Sequence, residues 1–354
     1  MGNVIVEYIW IDGQEPVARL RSKTRLTEDA DWKDGLPPVW SFDGSSTNQA
    51  PGDSSDCILK PVKVYKNPLL KTAKSALVLC EVYNADQTPG KNNYRAVAAK
   101  VAAKYSTQDP MFGIEQEYTL FDGHAPLGWP MGGYAPKQGP FYCGVGANEE
   151  FGAKIAEQHM LTCLEAGVAW CGKNGEVMCG QWEFQVGAKD PLTVADDLWI
   201  ARWLLYKIAG KHGVSAKLDP KPHPDLNGAG AHTNFSTKST RESIEGCEQA
   251  CRLLCSNVLD LTNFEYGDGI VEFKTYPTIE FPKEYGTKFN LRLTGDHETC
   301  SYTEFKFGAG DRTASVRIPL HVVKNNGGYI EDRRPCADAD PYRIVTYILE
   351  VCCG

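Results

Sequence analysis

The chain has 354 residues, 42% of them hydrophobic and 23% charged, an ordinary globular composition with room for one large domain or two unequal ones. No apolar run is long enough to span a bilayer, and a formal net charge of −8 excludes the sequence-independent phosphate attraction of nucleic-acid binders. Thirteen cysteines, an odd number without a C-x-x-C pair, argue against a zinc ribbon, a thioredoxin-type site or a disulfide framework. That usage fits a reduced, cytoplasmic protein, and residues 1–7 lack the basic region and apolar core of a signal peptide.

Residues 4–11 read as a strand with Asp12-Gly13 as its turn. A second strand is expected at 39–42, a polar loop from Asp43 to Asp56, and a third strand at 76–83. Thr88-Pro89-Gly90-Lys91 breaks the pattern before an Ala-rich helix at 94–105. The boundary is therefore placed near residue 90, giving a small β-rich domain at 1–90 and a larger one at 91–354. In the second part a strand is expected at 112–121, and Asn148 can cap a helix over 149–166 that Gly167 stops. Strand signals follow at 177–186, a Trp-rich helix at 195–210 and a strand at 215–218. A helix at 243–261 carries Cys247, Cys251 and Cys255 on one side as small buried thiols; strands return at 270–275 and 314–319. The mixture points to α+β.

The acidic residues are the anomaly. Glu115 and Glu117 stand two apart in an apolar strand, so they face the same side. Buried together they would repel, and desolvation would cost several kcal/mol each. Hard cations such as Mg²⁺ remove that conflict. Glu176 and Glu183 flank a second apolar stretch, His232 follows the small-residue run Asn227-Gly228-Ala229-Gly230-Ala231, and Glu331 precedes Asp332-Arg333-Arg334. Carboxylates with one imidazole suit Mg²⁺ or Mn²⁺ better than zinc. Arg292, Arg312, Arg317 and Arg333 supply forks for carboxylate or phosphate, and Arg317 sits between Val316 and Ile318 in an apolar strand. Metals with arginines are the equipment of phosphoryl transfer, yet no Walker-type glycine loop is present.

These residues fall in segments that resemble the glutamine synthetase family, eukaryotic type, over essentially the full length. The segments include Trp40-Ser-Phe-Asp-Gly-Ser-Ser-Thr47, Gly113-Ile-Glu-Gln-Glu-Tyr-Thr-Leu120, Gly139-Pro-Phe-Tyr-Cys-Gly-Val-Gly146 and Asn174-Gly-Glu-Val-Met178. Gly180-Gln-Trp-Glu-Phe-Gln-Val-Gly187, His232-Thr-Asn-Phe-Ser-Thr-Lys238, His297-Glu-Thr299 and Gly328-Tyr-Ile-Glu-Asp-Arg-Arg-Pro335 continue the series in the family's order.

The resemblance implies a β-grasp N-terminal domain and a catalytic domain whose curved antiparallel sheet lines a metal funnel. It implies ATP-dependent ligation of ammonia to the γ-carboxylate of L-glutamate, with Mg²⁺ or Mn²⁺. It also implies a homo-oligomer, a decamer of two pentameric rings with sites shared between neighbours.

Residue by residue, the resemblance gives Glu115, His232 and Glu331 to one metal and Glu117, Glu176 and Glu183 to the other. Asn227, Gly228, Arg292, Arg312 and Arg333 go to glutamate. Asn234, Phe235, Ser236, Tyr329, Arg312 and Arg317 go to ATP, with Glu115 and Glu183 near its phosphates. Asp43, from the neighbouring subunit, and Glu298, on a flap, would handle ammonium, and Arg317 the transferring phosphate. The chain departs from the family's usual residues at Cys179, Ala188, Leu226 and Gly310-Asp311.

Overall fold

A computed structural model describes residues 2–90, 92–130, 132–255, 264–266, 269–271, 286–296, 299–302 and 306–354. The first strand, β1 (Asn3–Ile11), alternates in period two. Val4, Val6, Tyr8 and Trp10 face a small core with Phe42, Leu59, Val78 and Val82. Ile9 faces the other way and joins the large core together with Leu77, Leu79 and Tyr65.

The partners of β1 are β2 (Leu20–Glu28), antiparallel, and β5 (Ser75–Asn84), parallel. Antiparallel β4 (Asp56–Lys66) and β3 (Trp40–Asp43) complete the order β2-β1-β5-β4-β3. The sequence reading missed two of these strands. In β2 the run Leu-Arg-Ser-Lys-Thr-Arg-Leu-Thr-Glu has little apolar signal because only Thr27 of it is buried. In β4, Pro61 reads as a breaker, and the strand accommodates it by a register shift between Pro61 and Lys63.

The second unit begins with α1 (Tyr94–Lys104), whose cap Asn93 accepts from the Ala96 N–H at 3.2 Å. The long strand β6 (Met111–Asp122) and the short β7 (Ala125–Pro126) follow. Next come α2 (Ala153–Ala166), β8 (Trp170–Gly175), β9 (Gln181–Lys189) and α3 (Pro191–Lys211). They lead into β10 (Ser215–Lys217), β11 (Ala231–Ser236), α4 (Lys238–Glu242) and α5 (Ile244–Cys255). The antiparallel pair β12 (Phe264–Tyr266) and β13 (Gly269–Val271), α6 (Phe289–Arg292), β14 (Phe307–Ala309) and β15 (Val316–Ile318) come next. The chain closes with α7 (Leu320–Lys324), β16 (Ile330–Asp332) and α8 (Pro341–Cys353). The main sheet runs β14-β15-β16-β11-β6-β9-β8, with only β14 and β15 parallel along it. Among the described residues no helix is long and apolar enough to cross a membrane.

Some boundaries differ from expectation; α3, for example, begins at Pro191 rather than 195. α2 starts at Ala153 rather than 149, because Gly152 takes a left-handed φ of 93° that no helix continues through. Its stop at Gly167, also at φ 93°, is as read. The strand expected at 177–186 is a turn through Gly180 followed by β9, with β8 paired ahead of it. The expected helix over 243–261 is α5 to Cys255, and 256–261 lie outside the described residues. So do 272–275 of the strand expected at 270–275, beyond β13.

α3 is the beam on which both units rest. Asp190 caps it, accepting from the Thr193 N–H at 3.0 Å, and Pro191 opens it. It is apolar nearly all round and packs behind β6 and β9. Two buried acids on it hold the N-terminal unit and α1. Asp197 accepts from the Tyr65 hydroxyl at 2.6 Å and Lys63 Nζ at 3.0 Å. Asp196 takes Arg95 as a fork at 2.8 and 3.0 Å, and Arg95 also reaches Glu81 at 2.8 Å.

Candidate active site

Strand β6 has two unlike faces. Phe112, Ile114, Tyr118 and Leu120 point into the core, while Glu115 and Glu117 point the other way. Register places acid or imidazole beside each of them. His232 of β11 lies across from Glu115, and Glu183 of β9 across from Glu117. Glu331 of β16 pairs with Asn234 of β11 and with Arg317 of β15.

The result is two triads, Glu115 with His232 and Glu331, and Glu117 with Glu176 and Glu183. Within each, the candidate ligand atoms all lie within 4.8 Å of one another. Both open into one cavity of about 680 Å³, whose wall also carries Asn227, Gly228, Arg292, Arg312, Arg317 and Arg333.

Electrostatics separate the triads. In the second, burial is the main force on all three acids. Glu176 is pushed up to about 9 by burial and then by Glu117 and Glu183. Glu183 is pushed up to about 8 by burial, Glu115 and Glu117. Burial raises Glu117 as well, against the pull of Arg292 and the Gly230 N–H that its Oε2 accepts.

Amides hold these carboxylates in place: Asn174 donates to Glu176 at 2.8 Å and Gln185 to Glu183 at 2.7 Å. Three mutually repelling buried carboxylates, oriented by neutral donors, fit a hard divalent cation.

In the first triad Asn234 donates to Glu115 at 2.8 Å. Glu331 accepts from Arg317 at 2.8 Å and Arg333 at 2.6 Å. Nδ1 of His232 is 3.8 Å from Glu115 and 3.6 Å from Glu331. Burial and then Arg333 hold its imidazole well below the usual range, so it is neutral, the form that binds a metal. This set also fits Mg²⁺ or Mn²⁺.

The small-residue run before β11 has a steric reason. A Cβ on Gly228 would lie 2.7 Å from the Pro220 carbonyl oxygen and 2.8 Å from Arg292 Cγ. One on Gly230 would overlap the Arg292 guanidinium, with Cζ at 2.9 Å. Arg292 therefore lies flat across this backbone, and its Nη2 is 3.1 Å from His232 Nε2.

Other sequence-selected residues sit differently. Phe235 does not face the cavity: strand alternation puts its side chain in the core, 5.0 Å from the Phe112 ring. Asn234 and Ser236 take the opposite face, and Ser236 accepts from Arg241 at 3.0 Å. Tyr329 stands just before β16, its ring 5.4 Å from His321. Burial raises its phenol, and the Glu115 and Glu331 carboxylates add to the effect.

Asp43 is exposed at the end of β3 and is not part of this cavity wall. Hydrogen bonds from Ser45 and Ser46 lower its carboxyl to about 2. Glu298 lies outside the described residues.

Sequence reasoning gave no role to Gln138, Tyr142, Asn174, Gln185 and Thr299, all of which line the cavity. Asn174 and Gln185 had a signal, an amide two positions from an acid. Gln138 had none; its Oε1 accepts from the Asn227 N–H at 2.6 Å across 89 residues. Of the departures, Leu226 is buried and its carbonyl accepts from Lys221 at 2.7 Å. Asp311 accepts from Thr313 at 2.8 and 2.7 Å, local bonds that lower its carboxyl.

A mostly antiparallel sheet with two carboxylate-rich triads that could hold metal ions, and a row of arginines in the same cavity, carries the equipment of phosphoryl chemistry. Comparison narrows the class. Residues 3–85 match the family model "Glutamine synthetase, beta-Grasp domain", and 91–248 match "Glutamine synthetase, catalytic domain". The chain is 51% identical to a glutamine synthetase of Streptomyces viridochromogenes, covering 98% of this chain and 96% of that one. It is 47% identical to one of Frankia alni, covering 98% and 92%. To one of Saccharomyces cerevisiae it is 42% identical, covering 100% and 90%. The chain belongs to the glutamine synthetase family.

Proposed function

We propose that the protein joins ammonia to the γ-carboxylate of L-glutamate, with ATP cleaved to ADP and phosphate. The observation that carries this reading is the pair of triads sharing β6, with arginines beside one of them. A carboxylate is a poor electrophile. Its oxygen first takes the γ-phosphoryl group, giving γ-glutamyl phosphate and ADP. The ammonia nitrogen then attacks the acyl carbon, the C–O bond to phosphate breaks, and a proton leaves nitrogen for a carboxylate.

Mg²⁺ or Mn²⁺, when bound, supplies charge neutralisation on the transferring phosphoryl group. Glu115, His232 and Glu331 would hold the ion nearer the nucleotide, and Glu117, Glu176 and Glu183 the ion nearer glutamate. Arg292 and Arg333, with Asn227 and Gly228, hold glutamate. Arg312 and Arg317 meet the transferring phosphate. Asn234, Ser236, Tyr329 and the main chain at Phe235 follow the nucleotide.

Asp43 of a neighbouring subunit and Glu298 attract ammonium. Asp43 stays anionic at neutral pH, which suits cation binding. The assembly in this reading is a decamer of two pentameric rings in the cytoplasm. The domain boundary lies near residue 90, between the two segments that the family models match.

The test is glutamine formation from glutamate and ATP with ammonium, then with methylamine and a diamine, with and without Mg²⁺. Turnover with ammonium, lost in excess chelator, is expected. Turnover with an amine but not with ammonium, or full activity in chelator, overturns the reading.

Gly230→Ala probes the glutamate end. The added methyl must push the Arg292 guanidinium aside while the backbone stays. Losing one charge-assisted hydrogen bond of ~1.5–3 kcal/mol corresponds to a rise in the glutamate KM of roughly 10- to 150-fold. The ATP KM should change little. A rise in the ATP KM alone would place Arg292 at the nucleotide instead.

A further inference from the structure

The core side of β6 holds a charge that the reaction scheme does not use. Arg202 of α3 is 1% exposed, and the acceptors it reaches are neutral. Its Nε and Nη2 donate to Gln116 Oε1 at 2.8 and 2.5 Å. Its Nη1 donates to the Ala339 carbonyl and its Nη2 to the Ala337 carbonyl, each at 3.0 Å. Gln116 is fully buried between Glu115 and Glu117 in sequence, and its Nε2 donates to the Glu117 carbonyl at 2.8 Å and the Ala337 carbonyl at 3.0 Å.

The segment that Arg202 grips is itself a junction. Ala231 N–H donates to the Pro335 carbonyl at 2.9 Å and Ala337 N–H to the Ala229 carbonyl at 3.0 Å, tying in the run that leads to His232. Asp338 accepts from the Thr287 N–H at 3.0 Å, tying in the segment that leads to Arg292. The same segment follows directly on Glu331 and Arg333. Burying a cation whose hydrogen bonds all go to neutral acceptors costs several kcal/mol, offset in part by the Asp338 and Asp340 carboxylates nearby. Burial indeed pushes the guanidinium down from its ordinary value.

We propose that Arg202 is a positioning residue of the metal centre: its fork sets β6 against residues 335–339 and so fixes Glu115 relative to His232 and Glu331. Glu117 shares the support of Gln116, but its partners Glu176 and Glu183 lie in the turn before β9 and on β9, which the fork does not bridge. The two triads should therefore respond differently. The inference rests on the two-ion reading above.

Mn²⁺ titration of the intact protein, followed by electron paramagnetic resonance, reports ions bound per subunit and the spin coupling between them. Arg202→Lys keeps the charge but loses the fork; Arg202→Met keeps the volume. Both are expected to bind one Mn²⁺ as wild type does and the other roughly 10- to 100-fold more weakly, the usual cost of losing an outer support. The metal-free melting temperature should stay within a few degrees, and the Mn–Mn coupling should weaken. Two ions bound with wild-type affinity in Arg202→Met overturn the proposal. Equal weakening of both ions, or loss of the fold in both variants, overturns it too, because Arg202 then serves stability alone. Wild type binding fewer than two ions per subunit defeats the two-ion reading itself, whatever the variants do.

Discussion

Glu183→Gln is expected to cut glutamine formation by on the order of 10³, several kcal/mol of lost charge stabilisation. The same change should make the metal-free protein more stable at pH 8. Glutamine keeps the shape and still accepts the hydrogen bond that Gln185 donates at 2.7 Å. It removes one of three buried carboxylates that oppose one another. In the fold Glu183 sits at about 8 and Glu176 at about 9, against 4.5 when unfolded. Between those values the folded state holds more protons than the unfolded one. Stability from these groups is thus greatest below pH 4.5 and falls as pH rises through 8 to 9. Thermal melts from pH 6 to 9 without metal should show wild type losing more stability than the variant. Added Mn²⁺ should restore wild type most at the alkaline end and the variant little. Equal metal-induced shifts in both proteins at pH 8 would show that Glu183 is no ligand.

Activity recovered by mixing two inactive variants is the second expected result. Asp43→Asn removes an exposed charge at the end of β3, outside the cavity of its own chain. It should keep phosphoryl transfer but slow amine attack by on the order of 10²–10⁴, roughly 3–5.5 kcal/mol of barrier. Arg317→Ala leaves Glu331 with only Arg333 of its two arginines and should fail at the phosphate step. If neighbours share sites, dissociating and reassembling the two variants together restores about a quarter of the sites, because random mixing pairs an intact small domain with an intact cavity that often. Positional isotope exchange in ATP separates the two failures. A mixture as inactive as its parents, beside a wild-type control that reassembles to full activity, would mean that each chain works alone.

The acids of the site were legible because they violate a rule. Glu115, Glu117 and Glu183 lie in apolar strands, where a charge needs a reason, and strand period alone put the first two on one side. Arg317 betrayed itself the same way between Val316 and Ile318. The grouping into triads was not legible from spacing, because it depends on register between strands far apart in sequence, such as His232 against Glu115. It came from resemblance. Resemblance also placed Phe235 along the nucleotide, although the period of β11 sends its side chain to the core. Strands β2 and β4 were missed because one is charged and the other carries a proline. Arg202 gave no sign, since an arginine in a long helix is ordinarily a surface residue.

α3 also fixes how the two halves of the chain are phased. Asp196 and Asp197 engage Arg95, Lys63 and Tyr65 on one side, and Arg202 engages Gln116 on another. One residue inserted between Asp197 and Arg202 would advance everything after it by about 100° and about 1.5 Å. Either the acids would leave the N-terminal sheet or the guanidinium would leave β6, and the buried helix has no slack in which to absorb the error. A residue added between the exposed Ala147 and Asn148 would lengthen a loop and little else. Chain length is thus free to drift at the rim of this molecule, while along α3 the count between Asp197 and Arg202 is held at both ends.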